Sequence, residues 1–459
     1  MLRGAGREGE NNPRGGSVPE LDSGATAWIL TSAALVLLMT PGLALFYGGM
    51  TRSKSVLNMM MMSFGAIGLV SLLWVFYGYS IAFGEDVGGI TGDLSAAGLR
   101  GMLESGTEGG IPDLLFAGFQ LMFAVITVAL ISGAIADRAR FGPWLLFAGL
   151  WATLVYFPVA HWVWGGGWIF ELGVLDFAGG TAVHINAGAA ALALALVLGR
   201  RVGWPKDSFK PHNLPMVLLG AGLLWFGWFG FNAGSALAAN GTAAIAFINT
   251  QVATAAAVLG WLLVEKIRDG KPTTLGAASG AIAGLVAITP ACAFLEPLGA
   301  IALGVIAGVV CALAVGLKYR LKYDDSLDVV AVHMVGGIIG SLLIGFLAME
   351  VLAGEGNDGL LYGGGVTLLG KQALGSVAVL VYSFVVAYLI GFVIDKTIGF
   401  RASADAEVDG IDNAEHAESA YEFSSTGGGG GAFAAAGIGT SAASSKTEPT
   451  EPVSEKVAG

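Results

Sequence analysis

Charged residues are scarce in this sequence. Asp, Glu, Lys and Arg make up 12% of its 459 residues, whereas a soluble domain usually carries about 25%. The mean hydropathy is +0.72, and 55% of the residues are hydrophobic. So little charge excludes an ordinary soluble domain and predicts a polytopic membrane protein. The 72 glycines and the lack of alternating barrel-type strands favour a tightly packed bundle of helices.

Cysteine and histidine are also rare. Cys292 and Cys311 both lie in apolar segments, where packing in the core is favoured over a disulfide. No Cys/His cluster has the spacing of a metal site, so neither a metal nor a cofactor is predicted. The net charge of −11 comes largely from acidic residues after Asp395, and no basic face indicates a nucleic-acid partner.

The two ends of the chain are polar. Residues 1–24 contain no apolar core of a cleavable signal peptide and are predicted to form a polar N-terminal extension. Residues 399–423 have enough apolar and acidic residues to order against the cytoplasmic face. Residues 424–459 are rich in Gly, Ala and Ser and are predicted to be disordered.

The apolar segments between these ends predict eleven transmembrane helices within residues 25–398. They lie at about 26–47, 56–83, 114–136, 143–162, 177–198, 214–231, 246–265, 275–291, 299–317, 329–349 and 373–394. The fold class is therefore an all-α polytopic membrane protein.

Basic residues predict the orientation of these helices. Alternate loops hold only Arg100 and Lys371. The other loops hold fourteen basic residues, and these are Arg52, Lys54, Arg138, Arg140, Arg200, Arg201, Lys206, Lys210, Lys266, Arg268, Lys271, Lys318, Arg320 and Lys322. This asymmetry predicts that the second set is cytoplasmic, with the N-terminus outside and the C-terminus inside.

Two histidines share a local sequence within predicted spans. His184 lies in TAVHINAG and His333 in VAVHMVGG, and each follows a carboxylate, Asp176 or Asp328. They fall in the fifth and tenth spans, which indicates two inverted repeats of five helices, about 25–200 and 212–350, followed by one extra helix at 373–394. Such repeats bring their substrate site to the middle of the membrane, so we predict that the two imidazoles meet there. Two separate core histidines are the alternative.

Neutral imidazoles suit a small molecule that both donates and accepts hydrogen bonds. K⁺ would instead require rings of carbonyl oxygens, and no such filter sequence is present. Aromatic residues near the predicted site (Phe119, Phe123, Trp164, Trp228 and Phe231) can attract a cation through their faces, although each alone also suits an interfacial belt or a core. Asp176 either caps a helix start or lowers the energy of a nearby cation.

At these residues the chain resembles the ammonium transporter (Amt/MEP/Rh) family, most closely its bacterial Amt branch. The resemblance extends over about residues 25–423. It rests on the blocks TPGLALFYGGMTRSKSVLNMMM, TVALISGAIADR, HWVWGGG, DFAGGTAVHINAG, FKPHNLPMVLLG, GWFGFNAGSA, SGAIAGLVAITPA, DVVAVHMVGGIIG and DGIDNAEHAESAY.

The resemblance implies a homotrimer of eleven-helix protomers in the cell membrane, each with its own pore. It implies an outer cation-recruitment site at Trp164, Phe123 and Ser235, and a gate of stacked rings at Phe123 and Phe231. The pore lining that it implies consists of His184, His333 and Trp228, and Asp176 matches an aspartate required for transport. The tail up to Tyr421 resembles a segment that couples protomers and contacts a PII-type regulatory protein.

We therefore expect a transporter and not an enzyme. Ammonium would be recruited at the outer aromatic site and deprotonated, and ammonia would pass the twin histidines. An ammonium sensor that signals through its C-terminal tail is the alternative, and a neutral-gas channel of the Rh type is a third interpretation.

Overall fold

The computed structural model describes residues 21–102 and 110–421. Most of the predicted N-terminal extension and all of the predicted disordered tail lie outside these residues. The described chain is helical apart from loops and one short antiparallel hairpin, in which β1 (Asp86–Val87) pairs with β2 (Thr91–Gly92). Cys292 and Cys311 are buried and unbridged, as predicted.

The described residues contain the following α-helices in chain order. They are α1 (Ser23–Met50), α2 (Val56–Leu73), α3 (Tyr79–Phe83), α4 (Asp113–Ile131), α5 (Phe141–Trp151), α6 (Phe157–Trp164), α7 (Trp168–Glu171), α8 (Asn186–Leu198), α9 (Leu214–Gly234), α10 (Gly241–Arg268), α11 (Thr274–Ile288), α12 (Pro297–Ala314), α13 (Leu317–Leu321), α14 (Gly336–Leu347), α15 (Glu350–Ala353), α16 (Thr367–Thr397), α17 (Ala404–Asp409) and α18 (Ile411–His416).

Wider π-helical turns interrupt the regular helices. Trp74–Gly78 joins α2 to α3, and Ala152–Tyr156 joins α5 to α6. Gly180–Ile185 leads into α8, and Val330–Val335 leads into α14. Single 3₁₀ turns occur at Ala97–Leu99, Ser132–Ile135 and Leu360–Tyr362. The π-helical turns before α8 and α14 contain His184 and His333.

Ten helical stretches in the described residues are long and apolar enough to cross a membrane. The eighth predicted span, 275–291, corresponds to α11, an apolar helix of 15 residues. At 1.5 Å per residue, α11 is about 22 Å long, which is shorter than the roughly 30 Å hydrocarbon core of a bilayer. Residues 21–102 and 110–421 therefore contain ten full-length candidate spans and one shorter apolar helix.

Glycines allow the helices to approach closely, and α1 against α9 is the clearest case. A Cβ atom added at Gly220 of α9 would lie 2.3 Å from the backbone nitrogen of Phe46 in α1. The same approach recurs where α12 crosses α10, since a Cβ at Gly304 would lie 2.2 Å from the carbonyl oxygen of Ala253. Such contacts are the packing that membrane helices use in place of the hydrophobic effect.

Most of the basic residues lie in connections at one end of the bundle. This end, which includes Asp137, Arg138, Arg201 and Asp324, is here called the Arg201 face. Arg201 binds Asp324 at 2.8 Å and Asp137 at 3.1 Å. Burial opposes the charge of Asp324, but the hydrogen bonds from Arg201 and the charge of Arg138 outweigh it and lower the pKa of Asp324. Buried charges of this kind are stable only when paired.

The segment after α16 packs on the same face. Asp412 accepts hydrogen bonds from the backbone nitrogens of Leu57 and Asn58 at the start of α2, at 3.0 and 2.8 Å. The carbonyl oxygen of Glu407 accepts from Nη2 of Arg52, which follows α1, at 3.1 Å. These contacts hold α17 and α18 against the ends of α1 and α2.

The glycine contacts give a matched pair of substitutions in α9. Gly220→Ala should destabilise the protein by about 1–3 kcal/mol, because the new methyl group overpacks against α1. Gly222→Ala is the control, because a Cβ there has no heavy atom within 4 Å. Thermal unfolding of the two purified variants in detergent measures the difference, and equal melting temperatures would contradict the packing argument.

Candidate functional site

One side of α9 and the Ser235 cap that follows it carry three of the predicted site residues. Trp228, Phe231 and Ser235 are spaced by three and four residues, which places them on one side of a helix. Trp228 is buried and donates from Nε1 to Thr289 Oγ1 at 2.7 Å. Ser235 is half-buried and its hydroxyl donates to the Phe231 carbonyl oxygen at 2.8 Å. The proton of Ser235 is thereby committed, and its oxygen keeps acceptor capacity.

The aromatic rings form a continuous row from Trp164 to the histidines. Trp164 meets Phe123 edge-on, with ring centroids 6.1 Å apart. Phe123 stacks on Phe231 at 4.1 Å. His184 lies 6.2 Å from Phe231 and stacks on Trp228 at 5.4 Å. Residues from α4, α6, α9 and the turn before α8 are thus brought together, as the sequence predicted.

The two predicted histidines are in direct contact. Nδ1 of His333 lies 3.2 Å from Nδ1 of His184, and both side chains are about 98–99% buried. A hydrogen bond in this geometry requires one ring to donate an Nδ1 proton and the other to accept it. In a neutral pair, the donor ring then has an acceptor at Nε2 and its partner has a donor at Nε2. Nε2 of His184 has no hydrogen-bond partner within the described residues.

The histidines are held together by matched backbone contacts. Gly188 and Gly337 each lie four residues after a histidine. A Cβ at Gly188 would be 2.5 Å from the backbone nitrogen of Met334, and one at Gly337 would be 2.9 Å from the carbonyl oxygen of Gly180. Each glycine therefore admits the segment that carries the other histidine. The reciprocity supports the predicted inverted repeat.

Asp176 caps the turn that leads into α8. Its Oδ1 accepts from the backbone nitrogens of Gly179 and Gly180, both at 2.7 Å. Its Oδ2 accepts from Thr181 and Ala182 at 2.7 and 3.1 Å. Both oxygens are therefore engaged by the backbone, which matches the capping alternative. The carbonyl of Asp176 also accepts the indole N–H of Trp164 at 2.9 Å.

The counterpart of Asp176 in the second half is Asp325, and the pairing of His333 with Asp328 was wrong. Asp325 precedes His333 by eight residues, as Asp176 precedes His184. Its Oδ2 accepts from the nitrogen five residues later, that of Val330, at 2.7 Å. Burial raises the pKa of Asp325 to about 6. Asp328 instead pairs with Lys318 at 2.6 Å.

The equal spacing of eight residues was the signal that would have identified Asp325 from the sequence. Thr289, which accepts the Trp228 N–H, had no comparable signal. It follows a plain apolar helix, and only the crossing of α9 and α11 brings the two residues together.

The sequence profile of the Ammonium Transporter Family matches residues 27–421. The chain belongs to the ammonium transporter family. It is 60% identical over 438 residues to an ammonium transporter of Mycobacterium tuberculosis, an alignment that covers 89% of this chain and 92% of the relative. It is 50% identical over 410 residues to one from Bacillus subtilis, covering 88% and 100%.

Solved structures show the same fold. The chain is similar to Mep2 of Saccharomyces cerevisiae, with a TM-score of 0.79 and 38% identity over 84% of this chain and 89% of Mep2. It is also similar to a protein described as a "Sensor Amt Protein", with a TM-score of 0.80 and 30% identity over 86% and 98%. The chain is thus a multi-pass membrane protein of this family.

The two capping aspartates predict different responses to loss of charge. Asp176→Asn replaces one carboxylate oxygen by an NH₂ group, which cannot accept a hydrogen bond. The two backbone N–H groups that this oxygen binds would lose their acceptor, and each unsatisfied buried donor costs about 1–3 kcal/mol. The variant should therefore have a lower melting temperature. Asp325→Asn is the matched control, because Oδ1 of Asp325 has no hydrogen-bond partner among the described residues.

Thermal unfolding of both variants in the same detergent gives the comparison. A loss of stability in Asp325→Asn equal to that in Asp176→Asn would contradict the capping role assigned to the four amides.

Proposed function

We propose that this protein transports ammonium by binding the cation at Trp164 and passing ammonia along the histidine pair. The observation that carries the proposal is the unbroken row of contacts from Trp164 through Phe123 and Phe231 to His184 and His333. It joins a half-buried aromatic surface to two buried imidazoles.

The proposed recruitment site combines a ring face with a hydrogen-bond acceptor. Trp164 and Ser235 are both partly accessible, whereas Phe123 is buried. A cation over an indole face gains about 0.5–2 kcal/mol. The Ser235 hydroxyl proton is bound to the Phe231 carbonyl, so its oxygen can accept an N–H from ammonium. K⁺ has no N–H to donate, which gives the site a basis for selectivity.

Phe123 and Phe231 are the proposed gate. Their rings are stacked with centroids 4.1 Å apart and both are 99% buried, so any molecule that passes must displace them. Opening therefore requires rotation of these side chains, which exchange rotamers on picosecond to nanosecond timescales when exposed and more slowly when packed.

Beyond the gate, the proposed path favours a neutral molecule. A charged group at the centre of a membrane helix costs at least about 2.5–3.5 kcal/mol. Ammonia both donates and accepts hydrogen bonds, and a neutral His184–His333 pair offers one Nε2 donor and one Nε2 acceptor. Trp228, stacked on His184 at 5.4 Å, adds an apolar wall. Ammonium is thus expected to release its proton to water on the Trp164 side of the gate, where Trp164 and Ser235 are partly accessible, so that ammonia alone reaches the histidines.

Asp176 is proposed to act from a fixed position. Its carboxylate is saturated by four backbone amides, so it stabilises the turn that carries His184. Its carbonyl oxygen holds the Trp164 indole. The residue connects the recruitment site to the histidine pair without direct contact with the substrate, and its negative charge lowers the energy of a nearby cation.

The wider assembly follows from the same proposal. We infer a homotrimer in the cell membrane with one pore in each protomer, surrounded by lipid. The Trp164 end would face outward and the Arg201 face would be cytoplasmic, as the basic residues indicate. The segment up to Tyr421 would then present a cytoplasmic surface to a PII-type regulatory protein.

The second candidate is an ammonium sensor. The structural likeness to a protein described as a sensor and the contacts of α17 and α18 with the transmembrane helices favour it. A sensor would bind ammonium and move this segment with no net transport.

Ammonium-driven flux into proteoliposomes of the purified protein, followed by the change in internal pH, separates these functions. We expect flux from the parent protein, with His184→Ala and His333→Ala each changing the flux or the ammonium/K⁺ selectivity, since each removes one side of the polar pair. His212→Ala on the Arg201 face is a control that should behave like the parent. Binding without flux would favour a sensor, and His184 and His333 variants with unchanged flux and selectivity would make the pair structural.

A further inference from the structure

The hairpin of β1 and β2 lies against the turn that follows Trp164. The indole nitrogen of Trp162 donates to the carbonyl oxygen of Ile90 at 2.7 Å. The backbone nitrogen of Trp168 donates to the carbonyl oxygen of Gly89 at 3.0 Å. These two bonds lie on either side of Trp164 in the chain, so the hairpin holds both ends of the segment that presents the indole.

A buried histidine binds the same hairpin. His161 is fully buried, and its Nε2 lies 2.9 Å from Oδ1 of Asp86 while its Nδ1 lies 3.1 Å from the carbonyl oxygen of Ala82. Both partners are acceptors. Both ring nitrogens therefore lie at hydrogen-bonding distance from an acceptor oxygen, and the ring connects Asp86 to the carbonyl of Ala82.

Asp86 also fixes the shape of the hairpin. Its carboxylate accepts the backbone N–H of Gly89, at 2.8 Å to Oδ1 and 3.1 Å to Oδ2. One carboxylate therefore joins the hairpin turn to His161 of α6. The side chain of Asp86 remains 44% exposed, so replacing it does not open the core.

The turn after Trp164 packs closely against α3 and the hairpin. A Cβ at Gly165 would lie 2.1 Å from the carbonyl oxygen of Ala82 in α3, and a Cβ at Gly167 would lie 2.9 Å from the carbonyl oxygen of Gly89 in the hairpin. On its other side, the Trp164 indole is held by the Asp176 carbonyl. Trp164 is thus fixed between the hairpin and the segment that begins the histidine turn.

We propose that Asp86 and His161 are positioning residues that set the orientation of Trp164 and so determine the affinity for ammonium. The inference rests on the proposed function of Trp164 as the recruitment site. Within the described residues, the hydrogen bonds of these two side chains run to one another, to Ala82 and to Gly89, and none reaches the histidine pair or the stacked rings. The maximal rate of transport should therefore be independent of them.

Asp86→Asn tests this, because it removes the charge with little change of shape. We expect the half-saturating ammonium concentration to rise about two- to fivefold, which is the range expected when part of a cation–π contact is lost, with the maximal rate unchanged. Asp86→Glu, which keeps the charge, should restore part of the affinity. The initial rate of ammonium-driven flux into proteoliposomes, followed by the change in internal pH, gives both parameters.

Asp93→Asn is the matched control. Asp93 lies in the same loop, but its carboxylate accepts from Glu85 and Ser95 and makes none of the bonds that hold the turn after Trp164. It removes the same charge from the same surface. An equal rise in the half-saturating concentration for Asp93→Asn would overturn the inference in favour of a general field effect.

A double-variant cycle with Trp164→Leu separates this inference from the proposed function. If Asp86 acts through Trp164, Asp86→Asn should have no further effect in the Trp164→Leu protein. An effect of Asp86→Asn of the same size in both backgrounds, or none in either, would overturn the inference while leaving Trp164 in its role. If Trp164→Leu alone leaves the half-saturating concentration unchanged, the proposed recruitment site itself is wrong.

Discussion

The contact between His184 and His333 is the interaction on which the rest of the site depends. Two imidazoles 3.2 Å apart satisfy one another in a place where water is scarce and unpaired polar groups are costly. The surrounding structure meets the conditions for this contact. The π-helical turns carry the rings, and Gly188 and Gly337 allow the two turns to cross. Asp176 and Asp325 cap the starts of those turns.

The same scarcity of water makes the two ends of the proposed path suit different species, a cation at Trp164 and a neutral molecule at the histidines. At the Trp164 end, ring faces and a hydroxyl oxygen can hold a cation that is still partly hydrated. Past the stacked Phe123 and Phe231, charge becomes expensive and a neutral donor–acceptor molecule is favoured. Selectivity then comes from the requirement to lose a proton, which K⁺ cannot meet. The fold supplies this sequence of environments with few polar groups, each held by backbone contacts.

Much of this arrangement could be predicted from the sequence. Hydropathy identified the apolar helices, and the shared local sequence of His184 and His333 predicted that the two imidazoles meet. The resemblance of the motifs supplied the residues of the proposed site. Asp325 was missed because Asp328 is nearer to His333 in the chain. Only the structure shows that Asp325, and not Asp328, accepts a backbone N–H of the turn that carries His333. The role of the hairpin around Asp86 was not predicted, because its bonds to α6 join residues about 75 positions apart and leave no periodic pattern.

Potassium flux compared with ammonium flux tests the central claim most directly, because the two ions carry the same charge and differ little in size, while only ammonium can lose a proton. Both are measured with the purified protein in the same vesicles at equal concentration. Exclusion of charge at the His184–His333 pair predicts ammonium-driven flux with no potassium flux above that of protein-free vesicles. Comparable fluxes of the two ions would contradict it.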